Sequence, residues 1–422
     1  MKVLHVITGL GVGGAELQLR SVLQHTRHQS DVVTLYNPGA VAEMISEDGV
    51  WVRDLGMTRN TELIALLRLT QLIRAGGYAV VHTHLYRSCI YGRLAARLAG
   101  TPVVVTTEHS IGETHLERRR MTLGVRVLYL ATDLCSDTTI AVSPAVAHRL
   151  AKWGVAARKI EIIPNGLDFG RVAFDAAARE EIRGEFGLPL DAYVIGVLGR
   201  LDPIKRYDLV IRAAAPLLDD QHRLLIIGDG QIRSELEAQA HRHGVADLVT
   251  FAGERHDVAA MLSGLDLFIA SSAQETFGLS VLEALANGIP ALYTTCPAME
   301  GITTGRARQV PGDLEGLRRE IETELVTGRR PREAVPAIRE QYGIDAVTRR
   351  IDDLYDRLMA RKQARGRPGV SRALPNPLGP NPLGPDPLEV TDESADHRRG
   401  RIHRLPSGRT PAGHRPRSRR AR

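Results

Sequence analysis

Glu275 and Glu283 stand eight residues apart, bracketing Thr276-Phe277-Gly278-Leu279-Ser280-Val281-Leu282. Glu283 falls inside a helical run of Leu, Ala and Val, and a carboxylate buried on such a face needs a partner. A pair of ribose hydroxyls is one, because a carboxylate accepts from both. Glu275 precedes the helix, near Gly278, whose backbone can approach a ligand closely. The plain alternative is a helix-initial Glu complementing the helix dipole and a second, solvated Glu. Upstream, Gly199-Arg200-Leu201-Asp202-Pro203-Ile204-Lys205 puts two cations on one short loop. Arg as a fork and Lys as a point charge suit a diphosphate, although a solvated surface pair would read the same way. Gly228-Asp229-Gly230 ends the next apolar run.

A second glycine-rich segment, Gly9-Leu10-Gly11-Val12-Gly13-Gly14-Ala15-Glu16, follows the first apolar run and opens a helical pattern. Unpaired backbone N–H groups at a helix start bind anions. Gly9, Gly11 and Gly14 match the dinucleotide spacing G-x-G-x-x-G, which keeps a nicotinamide-dependent oxidoreductase open. Against it, the second apolar run ends in Leu35-Tyr36-Asn37, where a ribose-binding acid is wanted. His109, in Thr106-Thr107-Glu108-His109, and His84, in His82-Thr83-His84, both follow short strand-like runs. Either a reactive or a capping role fits His109. The two show no zinc-ligand pattern with carboxylates or cysteines, and no D-x-D triplet offers a metal–diphosphate bridge. Cys89, Cys135 and Cys296 are too scattered for a disulfide framework.

These groups need a scaffold that brings loops together. Short β-branched runs recur near 3–8, 32–36, 50–54, 79–82, 103–107 and 139–142, and again near 193–198, 224–227, 248–251, 267–270 and 291–294. They lack strict alternation, as strands buried on both faces do. Helical patterns separate them, so two doubly wound α/β domains are expected. The join falls at Ile163-Pro164-Asn165-Gly166-Leu167-Asp168, where Pro and Asn-Gly break the strand. The expected divisions are 1–165, 166–345, a closing helix at 346–362 and a tail at 363–422. Hydrophobic residues make up 43% and charged residues 25% of the 422, which excludes wholesale disorder. The net charge of +6 belongs to the last 62 residues, which carry 15 basic and 5 acidic side chains. The rest is slightly acidic, so no nucleic-acid partner is expected for the folded body. The tail repeats Pro-Asn-Pro-Leu-Gly and ends Arg-rich, a composition expected to be disordered. No apolar run reaches the roughly 18–20 residues of a membrane helix, and a cytoplasmic location is expected.

Taken together, Gly13-Gly14-Ala15-Glu16, Ile163–Asp168, Gly199–Lys205, Gly228–Gly230 and the Glu275/Glu283 pair resemble the retaining glycosyltransferases of family 4, which have the GT-B fold. The resemblance covers roughly residues 2–295 and the closing helix. It implies two Rossmann-like domains facing each other across a cleft, with a C-terminal helix crossing back. It also implies transfer of a sugar from a nucleotide-sugar donor to a hydroxyl of a glycan or lipid-linked acceptor, in cell-envelope or exopolysaccharide synthesis. By that resemblance His109, Glu275, Arg200 and Lys205 serve catalysis. Gly13, Gly14, Arg200, Lys205, Gly228, Phe277, Gly278, Leu279 and Glu283 bind the donor. No metal or other cofactor is expected. Residues 116–130 read as a basic amphipathic helix that suits an anionic membrane or a solvated arginine face, giving peripheral contact at the inner membrane face as an expectation. A GT-B nucleotide-sugar epimerase, the oxidoreductase and a polyanion binder acting through the tail remain as alternatives.

Overall fold

The computed structural model describes residues 1–59, 61–109, 111 and 122–365, and the backbone alone of 115–116 and 119–120. The expected disordered tail lies outside the described residues, apart from the end of the last helix.

The first half runs β1 (Lys2–Ile7), α1 (Gly14–His25), β2 (Gln29–Thr34), α2 (Gly39–Glu47), β3 (Val52–Asp54), α3 (Leu63–Gly76), β4 (Val80–His84), α4 (Tyr86–Ala99), β5 (Val103–Glu108), a short antiparallel pair β6 (His115–Leu116) and β7 (Arg119–Arg120), α5 (Leu123–Asp133), β8 (Thr138–Ala141), α6 (Pro144–Trp153) and β9 (Ile160–Ile162). Its sheet is parallel, in the order β3-β2-β1-β4-β5-β8-β9. Val3, Leu4, Val6 and Ile7 of β1 are all fully buried. Both faces of the strand are covered, which is why its sequence shows no alternation.

The second half runs α7 (Ala176–Glu185), β10 (Tyr193–Leu198), α8 (Tyr207–Ala214), β11 (His222–Ile227), α9 (Arg233–Arg242), β12 (Val249–Gly253), α10 (Val258–Ser263), β13 (Leu267–Ala270), α11 (Leu279–Ala286), β14 (Ala291–Tyr293), β15 (Ala307–Gln309), α12 (Leu314–Thr327), α13 (Pro336–Tyr342) and α14 (Ile344–Arg365). Its parallel sheet has the order β12-β11-β10-β13-β14-β15. In each sheet the chain leaves the first strand in one direction and returns to its other side. The loops after β1 and β10 therefore sit at switch points, where the strand ends open a crevice.

Two segments link the halves and run side by side. Leu167 N–H donates to Tyr342 O at 2.7 Å, and Ile344 N–H donates to Leu167 O at 3.1 Å. The helix α14 then packs on the first half. Asp352 accepts from Thr26 Oγ1 at 2.7 Å and from the Arg27 amide at 3.0 Å, and Lys362 pairs with Asp137 at 2.6 Å.

One expectation is corrected. The helix expected over 116–130 begins only at Leu123, because Thr122 Oγ1 caps it by accepting from the Val125 amide at 3.3 Å. Ahead of it His115–Leu116 and Arg119–Arg120 pair antiparallel as β6 and β7, so Arg119 and Arg120 belong to a strand pair rather than to a helix face.

Candidate active site

Lys205 and Glu275 are 70 residues apart in sequence and meet at 2.8 Å between Nζ and Oε2. Each loop is held for a reason. Asp202 caps a single turn, Pro203–Lys205, by accepting from the Ile204 amide at 3.1 Å. The stretch after β13 is tied to that turn: Ser271 Oγ donates to Lys205 O at 2.7 Å and the Ala273 amide donates to Ile204 O at 2.8 Å. Glu275 also accepts from Ser272 Oγ at 3.3 Å. Both members of the pair remain partly open to solvent. Arg200 is exposed on the same loop, with no carboxylate partner among the described residues.

The loops after β10 and β11 interlock through glycine. A Cβ on Gly228 would lie 2.1 Å from Gly199 O, and Gly228 itself has φ +134°. The Gly199 amide donates to Ile227 O and the Leu201 amide to Asp229 O, both at 2.9 Å. Only a residue without a side chain allows this contact. Gly278 precedes α11 with φ +96°, and a Cβ there would meet Cys296 Sγ. No side chain caps α11; the Val281 amide donates to Gly278 O at 3.1 Å, which leaves the Leu279 and Ser280 amides as the helix-start donors an anion could meet. Within α11, Glu283 is partly buried among apolar neighbours, and burial pushes its carboxyl up to about 7. Phe277 turns the other way: its ring is buried and stacks edge-on against Tyr342 at 5.5 Å. Leu279 begins α11.

In the first half, Gly13 caps α1 with extended backbone, and a Cβ there would strike the Glu16 carboxylate. A Cβ on Gly14 would meet nothing within 4 Å. His109 is buried just after β5. Its Nε2 stands 3.2 Å from His84 Nδ1, and its own Nδ1 has no partner. His84 Nε2 stands 3.1 Å from His5 Nδ1. Burial lowers all of these imidazoles, His5 to about 3 and His109 to about 4, so they are neutral near pH 7. The sequence reading left out His5. It sits in β1 beside His82 of β4 in the strand register, a placement visible only once the strand order is known. A small cavity of about 20 Å³ lies against His82, His84 and His109, walled by Gln18, Pro164 and Asn165.

Residues 12–171 match the model of Glycosyltransferase Family 4, and residues 178–305 match Glycosyl transferases group 1. The Bacillus subtilis (strain 168) protein EpsF, named as a glycosyltransferase, is 26% identical over 82% of this chain and 93% of its own. A D-inositol 3-phosphate glycosyltransferase of Xylanimonas cellulosilytica is 30% identical over 69% of this chain and 74% of its own. The Escherichia coli UDP-Gal:alpha-D-GlcNAc-diphosphoundecaprenol alpha-1,3-galactosyltransferase is 29% identical over 56% of this chain and 64% of its own. Among solved structures, Anabaena HepE in complex with UDP and glucose superposes with a TM-score of 0.75 at 22% identity, covering 85% of this chain and all of that one. Sucrose-phosphate synthase from Thermosynechococcus elongatus gives 0.68 at 20% identity, covering 86% of this chain and all of that one. The fold is the GT-B arrangement, and the chain is a glycosyltransferase that belongs to family 4.

Proposed function

We propose that the protein moves a hexosyl unit from a uridine-diphosphate sugar to a hydroxyl of a glycan or lipid-linked acceptor, with retention at the anomeric carbon. The observation that carries the donor side is the Lys205–Glu275 pair, fixed at 2.8 Å at the C-terminal ends of β10 and β13. In this reading Arg200 and Lys205 hold the diphosphate, and Glu275 faces the sugar. Glu283 takes the ribose hydroxyls, while Gly13 and Gly14 let the α1 start approach from the other half. Gly228, Gly278 and Leu279 contribute backbone, and Phe277 holds its loop from beneath. His109 faces the reaction from the first half. As the bond to the anomeric carbon breaks, charge gathers on the diphosphate, where the two cations and the helix amides stabilise it. These fixed positive groups can serve where a divalent ion would, so no metal is invoked. HepE was solved with UDP-glucose, which supports a uridine base here. The E. coli relative's lipid-diphosphate acceptor supports an envelope or exported glycan as product. Neither the fold nor the comparisons favour the epimerase, oxidoreductase or polyanion-binding readings.

Glu283 supplies the test. Its carboxyl, held at about 7 without ligand, must ionise to accept from two hydroxyls. A raised carboxyl binds its proton more tightly, so ionisation costs more as pH falls below 7. Affinity for UDP should therefore drop as pH is lowered from 7.5 to 6, by at most roughly tenfold per unit from this one group. Glu283→Gln should flatten that dependence and weaken binding about 10- to 100-fold at pH 7.5. Uridine, which lacks the phosphates' own titration, should show the same difference between the two proteins. Calorimetry that finds equal affinities and equal pH slopes in both would sink the ribose role.

No helix among the described residues is long and apolar enough to cross a membrane. A peripheral site at the cytoplasmic membrane face is part of this reading. Leu63, Ile64 and Leu67 of α3 and Leu123 and Val127 of α5 are each more than half exposed, and both helices flank α4. Exposed Arg68 and Arg126 lie on the same two helices. Apolar side chains beside cations suit an anionic lipid surface. Cosedimentation with vesicles containing anionic lipid should succeed for the native protein and fail when Leu63, Leu67 and Leu123 are all changed to Ser. Equal partitioning of the two would rule this surface out.

A further inference from the structure

Three imidazoles form a hydrogen-bonded row across the centre of the first sheet. His5 Nδ1 lies 3.1 Å from His84 Nε2, and His84 Nδ1 lies 3.2 Å from His109 Nε2. Adjacent ring centroids are 5.4 and 5.6 Å apart. A fourth, His82, lies tilted against His84 with ring centroids 4.1 Å apart but is engaged elsewhere. Its Nδ1 meets Tyr355 Oη and its Nε2 meets Thr107 Oγ1, both at 2.6 Å. His5, His82 and His84 are close enough to share an ion. Yet the facing nitrogens of His5 and His84 bond each other, and both nitrogens of His82 are taken by hydroxyls, which accounts for the cluster without an ion. At the far end of the row His109 Nδ1 is buried without a partner.

A neutral imidazole carries one N–H and one lone pair. Burial keeps each member of the row neutral, so the row has only two arrangements that make both of its hydrogen bonds. In the first, His5 Nδ1–H donates to His84 Nε2 and His84 Nδ1–H donates to His109 Nε2. His109 then carries its proton on Nδ1. In the second, His109 Nε2–H donates to His84 Nδ1, and His84 Nε2–H donates to His5 Nδ1. His109 Nδ1 is then a bare lone pair, and His5 carries its proton on Nε2. What His109 offers at its unpartnered nitrogen is thus dictated by His84, and neither arrangement needs a buried imidazolium. The second nitrogen of a functional histidine is commonly set in this way by its neighbour.

We propose that His84, backed by His5, is a positioning residue that fixes the ring orientation and tautomer of His109, so that His109 Nδ1 meets a substrate hydroxyl in one defined hydrogen-bonding state. The proposal rests on the reading that His109 faces the transfer site. The groups around the row are His82 of β4, Thr107 of β5, Gln18 of α1, Asn165 of the linker and, through His82, Tyr355 of α14. None of these is an ionised side chain.

The experiment is two-bond proton–nitrogen NMR on the full chain labelled with [15N]histidine, combined with steady-state kinetics. Native protein at pH 7 should show His5, His84 and His109 neutral, each with one nitrogen protonated. Mixed tautomers or an imidazolium in that spectrum would overturn the proposal without any variant. Added zinc should leave the three signals in place, whereas loss of the His5 and His84 signals would assign the cluster to a metal instead. His84→Phe fills the space but offers no nitrogen. It should release His109 into mixed tautomers and lower kcat about 10- to 100-fold, with the donor KM changed less than about twofold. His84→Gln, which can both donate and accept, should keep a single His109 tautomer and most of the turnover. An unchanged His109 spectrum in His84→Phe overturns the positioning role. A His109→Gln enzyme with full turnover would overturn something different, the placing of His109 at the transfer site.

Discussion

Lys205→Met should lower turnover roughly 100- to 1,000-fold, the usual cost of losing one fixed positive group aimed at developing charge. The Nζ sits 2.8 Å from Glu275 on a loop that Asp202 and Ser271 hold in place. It is therefore positioned before any ligand arrives. Its removal has a second consequence, since Glu275 keeps only Ser272 Oγ and the Thr276 amide, each at 3.3 Å. The carboxylate would then repel an incoming diphosphate. The two effects separate in the double variant Lys205→Met/Glu275→Gln. If Lys205 served only to neutralise Glu275, the double variant would recover. If it holds the diphosphate, turnover measured with saturating donor stays low. Native activity should persist in EDTA, because the cations of this loop are covalently part of the chain. Complete loss in EDTA, restored by magnesium or manganese, would count against the assignment.

Two glycines should fail in opposite ways. Gly228→Val should destabilise the second half by roughly 3 kcal/mol or more, combining backbone strain with a side chain forced onto a backbone oxygen. The contact in question is 2.1 Å to Gly199 O at a φ of +134°. No flexible atom is there to yield. Gly14→Val meets nothing within 4 Å, so the free protein should melt where the native one does. In the proposed reading its methyl groups would instead occupy space at the start of α1 that the donor takes up when the halves approach. A misplacement of about 1 Å can cost 100-fold in rate, and turnover should fall at least that far, while UDP binding to the second half changes little. Calorimetric melting and initial rates check both variants. A Gly14→Val enzyme with native turnover would show that this loop never reaches the donor.

The elements legible in the sequence were those whose cause is local. The buried strands were visible because Val3–Ile7 and its counterparts are apolar on both faces, and a parallel sheet imposes that pattern strand by strand. The glycine turns were visible because glycine is required where backbone must meet backbone, as at Gly228. What stayed hidden depends on register between distant segments. His5 and His84 are 79 residues apart, and nothing local to either announces their contact. The 2.8 Å pairing of Lys205 with Glu275 likewise needs β10 and β13 to be neighbours. The start of α5 is not legible because the apolar spacing around 116–130 continues smoothly across the segments that pair as β6 and β7. Phe277 stands between Glu275 and Gly278, yet its ring turns inward towards Tyr342, and the sequence carries no sign of that choice.

The paired link between the halves bears on how they can move. Two covalent crossings hydrogen-bonded side by side, at Leu167 and at Tyr342–Ile344, form a narrow two-stranded ribbon rather than a single swivel. Such a ribbon twists and bends readily, but it resists one edge sliding along the other, because sliding breaks both hydrogen bonds at once. Rotation about one line close to the ribbon, like a book opening on its spine, would keep both of these bonds and would part the Ser143 Oγ–Thr276 O hydrogen bond at 2.7 Å that also joins the halves. Points on the facing pages separate and meet again along the same arcs. An acceptor seated on one page would then return to the same donor atom at every closure, and the choice of which hydroxyl receives the sugar would be inherited from the spine as much as from the pocket.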